Sequence, residues 1–125
     1  MDKMDLIAMF EQAEQTKKYS KGTFIFHQGE PSGFMYVILE GEVDIILNDK
    51  VIATFKPGHI FGEMALIDEG PRSASAFAKT DCKVVYIDRD NFLYLIQNTP
   101  YFALHVMKIL TMKVRELDKL LVPES

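Results

Sequence analysis

The chain has 125 residues, 48% of them hydrophobic, and a formal net charge of −4. That is enough apolar residue for the core of one domain, residues 1–125, and it argues against a disordered chain. The acidic balance supplies no general pull toward DNA or RNA, and a single cysteine, Cys82, excludes a disulfide framework within the monomer.

The N-terminal segment reads as an amphipathic helix, with Leu6, Met9, Phe10 and Ala13 on one face and Glu11, Glu14 and Lys17 on another. From Thr23 the period changes. Thr23–His27 is β-branched and aromatic, and Gln28–Gly33 supplies turn residues. Strands are expected at Phe34–Leu39, Glu42–Leu47 and Val51–Phe55, with Asn48–Asp49 as a hairpin turn and Pro57–Gly58 as another turn. Two further strands fall near Ser73–Ala78 and Lys83–Ile87. Short strands with frequent turns favour a barrel or sandwich over a parallel α/β sheet. Asp88 suits the cap of a short helix carrying Phe92, Leu93 and Ile96. Thr99–Pro100 then opens a long helix over about 99–121, with Thr99 as N-cap, Pro100 in the first turn and Pro123 as its stop.

One stretch concentrates the chemistry: Phe61-Gly62-Glu63-Met64-Ala65-Leu66-Ile67-Asp68-Glu69-Gly70-Pro71-Arg72-Ser73-Ala74. Gly62 lets backbone approach a ligand, and the N–H groups opening a helical turn suit an anion. Arg72 adds a fixed, planar cation matched to phosphate oxygens. Glu63 would repel a phosphate, so its role is to accept hydrogen bonds from a hydroxyl such as a ribose 2′-OH, or to cap the short helix. An isolated Arg72 would read as an ordinary ion-pair partner of Glu63 or Asp68. The surrounding pattern favours a ligand.

The segment resembles the phosphate-binding cassette of the cyclic-nucleotide-binding domain family. Phe61–Leu66 and Pro71–Ala74 match its pattern of Phe-Gly-Glu-(Leu/Met)-Ala-Leu, a spacer, and Pro-Arg-(Ala/Ser/Thr)-Ala. The resemblance extends through Gly29-Glu30, Tyr36-Val37-Ile38, Gly41, Pro57-Gly58 and Tyr86–Phe92. It implies a mainly β fold with α, a jelly-roll-like β-barrel flanked by an N-terminal helix and two C-terminal helices. It also implies that Arg72 pairs with the cyclic phosphate and that Glu63 binds the 2′-OH. Backbone N–H groups around Gly62, Met64, Ala65 and Ser73 complete the cradle. Val51 lines the base by a weaker match, and Leu117 and Asp118 cap it. The implied ligand is cyclic AMP, with cyclic GMP as the alternative, because Ser73 and Asp118 suit either base.

Ala103, Met107, Leu110, Val114, Leu117 and Leu121 follow heptad spacing, while Phe102, Val106 and Ile109 form a second apolar face. Bacterial relatives dimerise through this helix, which implies a homodimer; the alternative is that both faces pack within the chain. The DNA-binding relatives carry a further module after this helix, so a chain ending at Ser125 implies no DNA partner and an output through another protein, a change of assembly or simple sequestration of the nucleotide. His27, His59 and His105 lack metal-ligand spacing, and no Ser sits in a Gly-x-Ser-x-Gly setting, so no metal, cofactor or enzyme activity is expected. The lone Cys82, the lack of an apolar leader and the lack of a membrane-length apolar run point to a cytoplasmic protein. The rival reading is a scaffold that keeps the fold and binds no nucleotide.

Overall fold

The computed structural model describes residues 1–121, apart from the side chains of Ala65 and of residues 117–121. Eight strands form two antiparallel sheets, flanked by helices at both ends of the chain. The strands are β1 (Thr16–Tyr19), β2 (Phe24–Phe26), β3 (Phe34–Glu40), β4 (Val43–Leu47), β5 (Lys50–Phe55), β6 (Ile60–Phe61), β7 (Ser75–Ala78) and β8 (Cys82–Asp88). The helices are α1 (Lys3–Phe10), α2 (Glu63–Asp68), α3 (Arg89–Asn98) and α4 (Pro100–Leu121). One sheet runs β1-β8-β3-β6 and the other β2-β7-β4-β5.

The jelly-roll-like barrel expected from the sequence is the observed architecture, and β3 shows how it closes. Five successive residues of β3, Met35–Leu39, are buried. Side chains alternate across a strand, so the run serves two cores. Met35, Val37 and Leu39 meet the helices through Leu6, Phe10, Phe92, Phe102 and Val106. Tyr36 and Ile38 face the barrel interior with Val43, Phe61, Ala76, Ala78, Cys82 and Val84. Phe102 packs edge-on to Phe10 at 5.9 Å and to Phe92 at 6.3 Å, joining α1, α3 and α4.

Local signals place several boundaries. Asp88 caps α3 by accepting from the Asn91 N–H at 2.8 Å, as its position implies. Asn48 and Asp49 both adopt positive φ, 50° and 67°, the backbone a two-residue hairpin requires. The first helix is shorter than its apolar pattern suggests. It starts on an Asp2–Asp5 capping box and ends at Phe10, so Ala13 and Lys17 lie beyond it. Lys17 belongs instead to β1, an unanticipated strand that pairs Thr16–Tyr19 with Cys82–Val85. The two-residue β6 was equally unanticipated. Pro123 lies outside the described residues.

Candidate functional site

The cassette follows β6 directly. Gly62 caps the start of α2 at φ 78°, a left-handed backbone that favours glycine. A Cβ there would also stand 2.7 Å from Nη1 of Arg72 and 3.3 Å from the Phe34 carbonyl oxygen. Both the conformation and the close approach therefore require this residue. Arg72 is buried. Its Nη2 donates to the Phe34 carbonyl at 2.7 Å and its Nη1 to the Gly62 carbonyl at 3.2 Å. The guanidinium lies 4.0 Å above the Phe26 ring and 5.6 Å from the Tyr36 ring, and Tyr36 in turn stacks on Phe61 at 5.0 Å. Burial draws the Arg72 pKa below its ordinary value and pushes that of Tyr36 up. The backbone of Arg72 is fixed too. Its N–H donates to Glu30, and its carbonyl accepts from Gly29. That bridge explains why the Gly29–Glu30 turn travels with the cassette.

Glu63 is only 1% exposed. Its Oε1 accepts from Nζ of Lys113 on α4, whereas among the described residues its Oε2 has no hydrogen-bond partner, and neither has Nε of Arg72. A buried donor and a buried acceptor without partners are costly, on the order of 1–3 kcal/mol each. Both belong to residues that line one cavity of about 750 Å³ between the barrel and α4.

Of the residues singled out in the sequence, Gly62, Glu63, Met64, Arg72 and Ser73 line this cavity together. The side chains of Ala65, Leu117 and Asp118 lie outside the described residues. Val51 does not join the site. It is 57% exposed beside the hairpin turn, and the cavity wall is made instead by Ile52 and by Ile45 and Ala53, which are register partners across β4 and β5. The pairing shifts by a residue between Ile45 and Ile46, so register near Val51 is not legible from alternation.

The sequence reading gave α4 a role in the site only through Leu117 and Asp118 and missed the stripe that precedes them. His105, Ile109, Met112, Lys113 and Glu116 line the cavity. Their spacing puts them on one helical stripe, a signal masked by the apolar heptads beside it. Those heptads divide differently from the expected seam. Phe102 and Val106 are buried, and Ile109 and Leu110 pack on the chain's own core, with Ala103 half-buried. Leu104, Met107 and Val114 are exposed. Cys82 is buried, and burial pushes its thiol pKa up.

Among the described residues no cluster of His, Cys, Asp and Glu could hold a metal ion, and no helix is long and apolar enough to cross a membrane. The cavity thus brings a buried cation, a buried carboxylate and an apolar wall together. The family model described as "Cyclic nucleotide-binding domain" matches residues 16–99. The chain is 35% identical over 109 residues to the "Cyclic AMP receptor protein" of Thermus thermophilus, covering 83% of this chain and 50% of that protein. It is 40% identical over 78 residues to the "cAMP-dependent protein kinase regulatory subunit" of Eremothecium gossypii, covering 62% of this chain and 17% of that one. The crystal structure of Thermus thermophilus catabolite activator protein superposes with a TM-score of 0.82 at 33% identity, over 95% of this chain and 57% of that chain. The chain thus spans about half the length of the Thermus relative.

Proposed function

The chain belongs to the cyclic nucleotide-binding domain family, and from that premise we propose that it binds cyclic AMP in the cavity under α4 and signals through that helix. The observation that carries the reading is the pair of partnerless buried atoms, Arg72 Nε and Glu63 Oε2. A cyclic phosphate supplies the acceptor that Nε lacks, and a ribose 2′-OH supplies the donor that Oε2 lacks. Gly62, Met64, Ala65 and Ser73 offer backbone N–H groups to the phosphate. The base lies against Ile45, Ile52 and Ala53, while Leu117 and Asp118 cap it from α4. No chemistry is performed on the nucleotide in this reading.

Cyclic AMP is favoured over cyclic GMP because the names of the relatives above specify it. The exposed Leu104, Met107 and Val114 suit a parallel homodimer along α4, with a protein effector reading its rearrangement. The buried free thiol of Cys82 suits a reducing compartment such as the cytoplasm.

Thermal-shift and calorimetric titration with both nucleotides test the proposal. At a hundredfold excess over its Kd, the preferred ligand should stabilise the fold by about 2.7 kcal/mol. Tighter binding of cyclic GMP would reverse the base assignment, and no response to either nucleotide would leave the scaffold reading.

A further inference from the structure

Three consecutive residues of the β2–β3 loop tie two parts of the cavity wall together. On one side Gly29 donates its N–H to the Arg72 carbonyl at 2.8 Å, and the Glu30 carbonyl accepts from the Arg72 N–H at 2.9 Å. On the other, the side-chain amide of Gln28 pairs with Asn48 in the β4–β5 turn. Its Oε1 accepts from the Asn48 N–H at 3.2 Å, and its Nε2 donates to Asn48 Oδ1 at 3.3 Å. A backbone N–H can only donate, so it fixes which way the Gln28 amide is turned. Gln28 is itself anchored, since its N–H donates to Oγ of the buried Ser75 at 2.8 Å.

The β4–β5 hairpin needs such a tie. Ile45 pairs with Ala53 but Ile46 with Val51, so Ile52 is the extra residue of a bulge. A bulge bends the strand that carries it and re-aims a side chain. Ile52 lines the cavity, as do Ile45 and Ala53. Beyond the bulge the hairpin runs out of neighbours. Ile46–Ser75 is the last register pair that holds β4 to β7, and β5 is an edge strand. Among the described residues, Gln28 is the one residue outside the hairpin joined to residues 46–52 by side-chain hydrogen bonds.

We infer that Gln28 is a positioning residue that sets the separation between Arg72 and the Ile52 wall, and thereby which base the site takes. The inference rests on the proposed binding of a cyclic nucleotide and adds to it a residue outside the cavity lining. A ligand with its phosphate on Arg72 meets the wall at a fixed reach. Loss of the amide pair lets the hairpin move about its bulge, while the Gly29 and Glu30 backbone bonds still hold Arg72. The phosphate end then stays as it was and the base end loosens. Specificity is a difference of affinities, so a loosened wall narrows the differences between bases.

Calorimetry with cyclic AMP, cyclic GMP and cyclic CMP on the full chain tests this. Gln28 and Asn48 are exposed, so the fold tolerates their substitution. Gln28→Ala should weaken the best-bound nucleotide by about threefold to tenfold and the others less, so that the Kd ratios contract toward one. Asn48→Gly keeps the left-handed turn and removes Oδ1, so it should show part of that contraction and add little to Gln28→Ala. Asn48→Asp keeps an acceptor for Nε2 and should restore the wild-type ratios. Without ligand, amide exchange over residues 46–52 should accelerate in Gln28→Ala, and exchange in α2 should not. An equal loss for all three nucleotides, unchanged exchange over residues 46–52, a contraction as large in Asn48→Asp as in Gln28→Ala, or a wild type that takes all three alike would each overturn the inference. A wild type that binds none of the three overturns the proposed function and this inference together. A wild type that binds, with Gln28→Ala unchanged, overturns this inference alone.

Discussion

In the proposed reading Arg72 does two jobs with one side chain, and its substitutions should separate them. Its terminal nitrogens hold the Phe34 and Gly62 carbonyls, while Nε has no partner among the described residues and is the atom proposed to meet the ligand. Arg72→Ala should therefore lose at least about tenfold to a hundredfold in cyclic AMP affinity, measured by calorimetry. The two orphaned carbonyls also imply a cost to the fold of about 1–3 kcal/mol, visible in denaturant melts. Arg72→Lys keeps the charge without the fork, so affinity should fall with a smaller loss of stability. Lys113 offers a second test at this scale. Lys113→Met leaves Glu63 buried without its cation, so the fold should lose roughly 1–3 kcal/mol and amide exchange in α4 should accelerate. Unchanged exchange would mean that the contact does not hold the helix. Gly62, Glu63 and Arg72 were legible because their chemistry is compressed into one segment. Lys113 was not, because a partner fifty residues away leaves no local mark.

The long helix is divided lengthwise among three tasks. Phe102, Val106, Ile109 and Leu110 face the core, His105 through Glu116 supply the cavity stripe, and Leu104, Met107 and Val114 remain exposed. Leu104→Glu with Val114→Glu should convert a dimer to monomers by sedimentation, with little change in the melting of each monomer. Leu110→Glu should instead destabilise the fold, because it places a charge against the chain's own core. A wild type that sediments as a monomer at high micromolar concentration would remove the dimer. The sequence marked this helix correctly from Pro100, and heptad spacing exposed its apolar content. Spacing does not tell which stripe meets which neighbour, since that depends on how α4 is set against β3 and α1. β1 escaped for a related reason. Thr16-Lys17-Lys18-Tyr19 is polar enough to extend a helix pattern, and its strand character comes from pairing with β8, more than sixty residues later.

At the level of the whole molecule, two depressed histidines tie stability to pH. His59 and His105 have folded pKa values below their ordinary 6.5, so below that value the unfolded chain binds more protons than the native one. Their contribution is fully present above pH 6.5 and is lost as pH falls through the folded values. Chemical denaturation in the unliganded state should show stability dropping from pH 7 toward 5, and the His59→Gln variant should flatten the curve. A curve of the same slope in that variant would remove His59 as a source. The stack of Tyr36 on Phe61 beneath Arg72 has an optical consequence. The chain has no tryptophan and five tyrosines. Tyr36 is the one that is buried, and its ring lies beside Arg72, the cation proposed to receive the ligand. Tyrosine emission and near-ultraviolet dichroism are therefore built-in reporters of the cradle, and Tyr36→Phe silences that reporter while keeping the ring. Occupancy can be followed on the unlabelled protein, by light absorbed within the site itself.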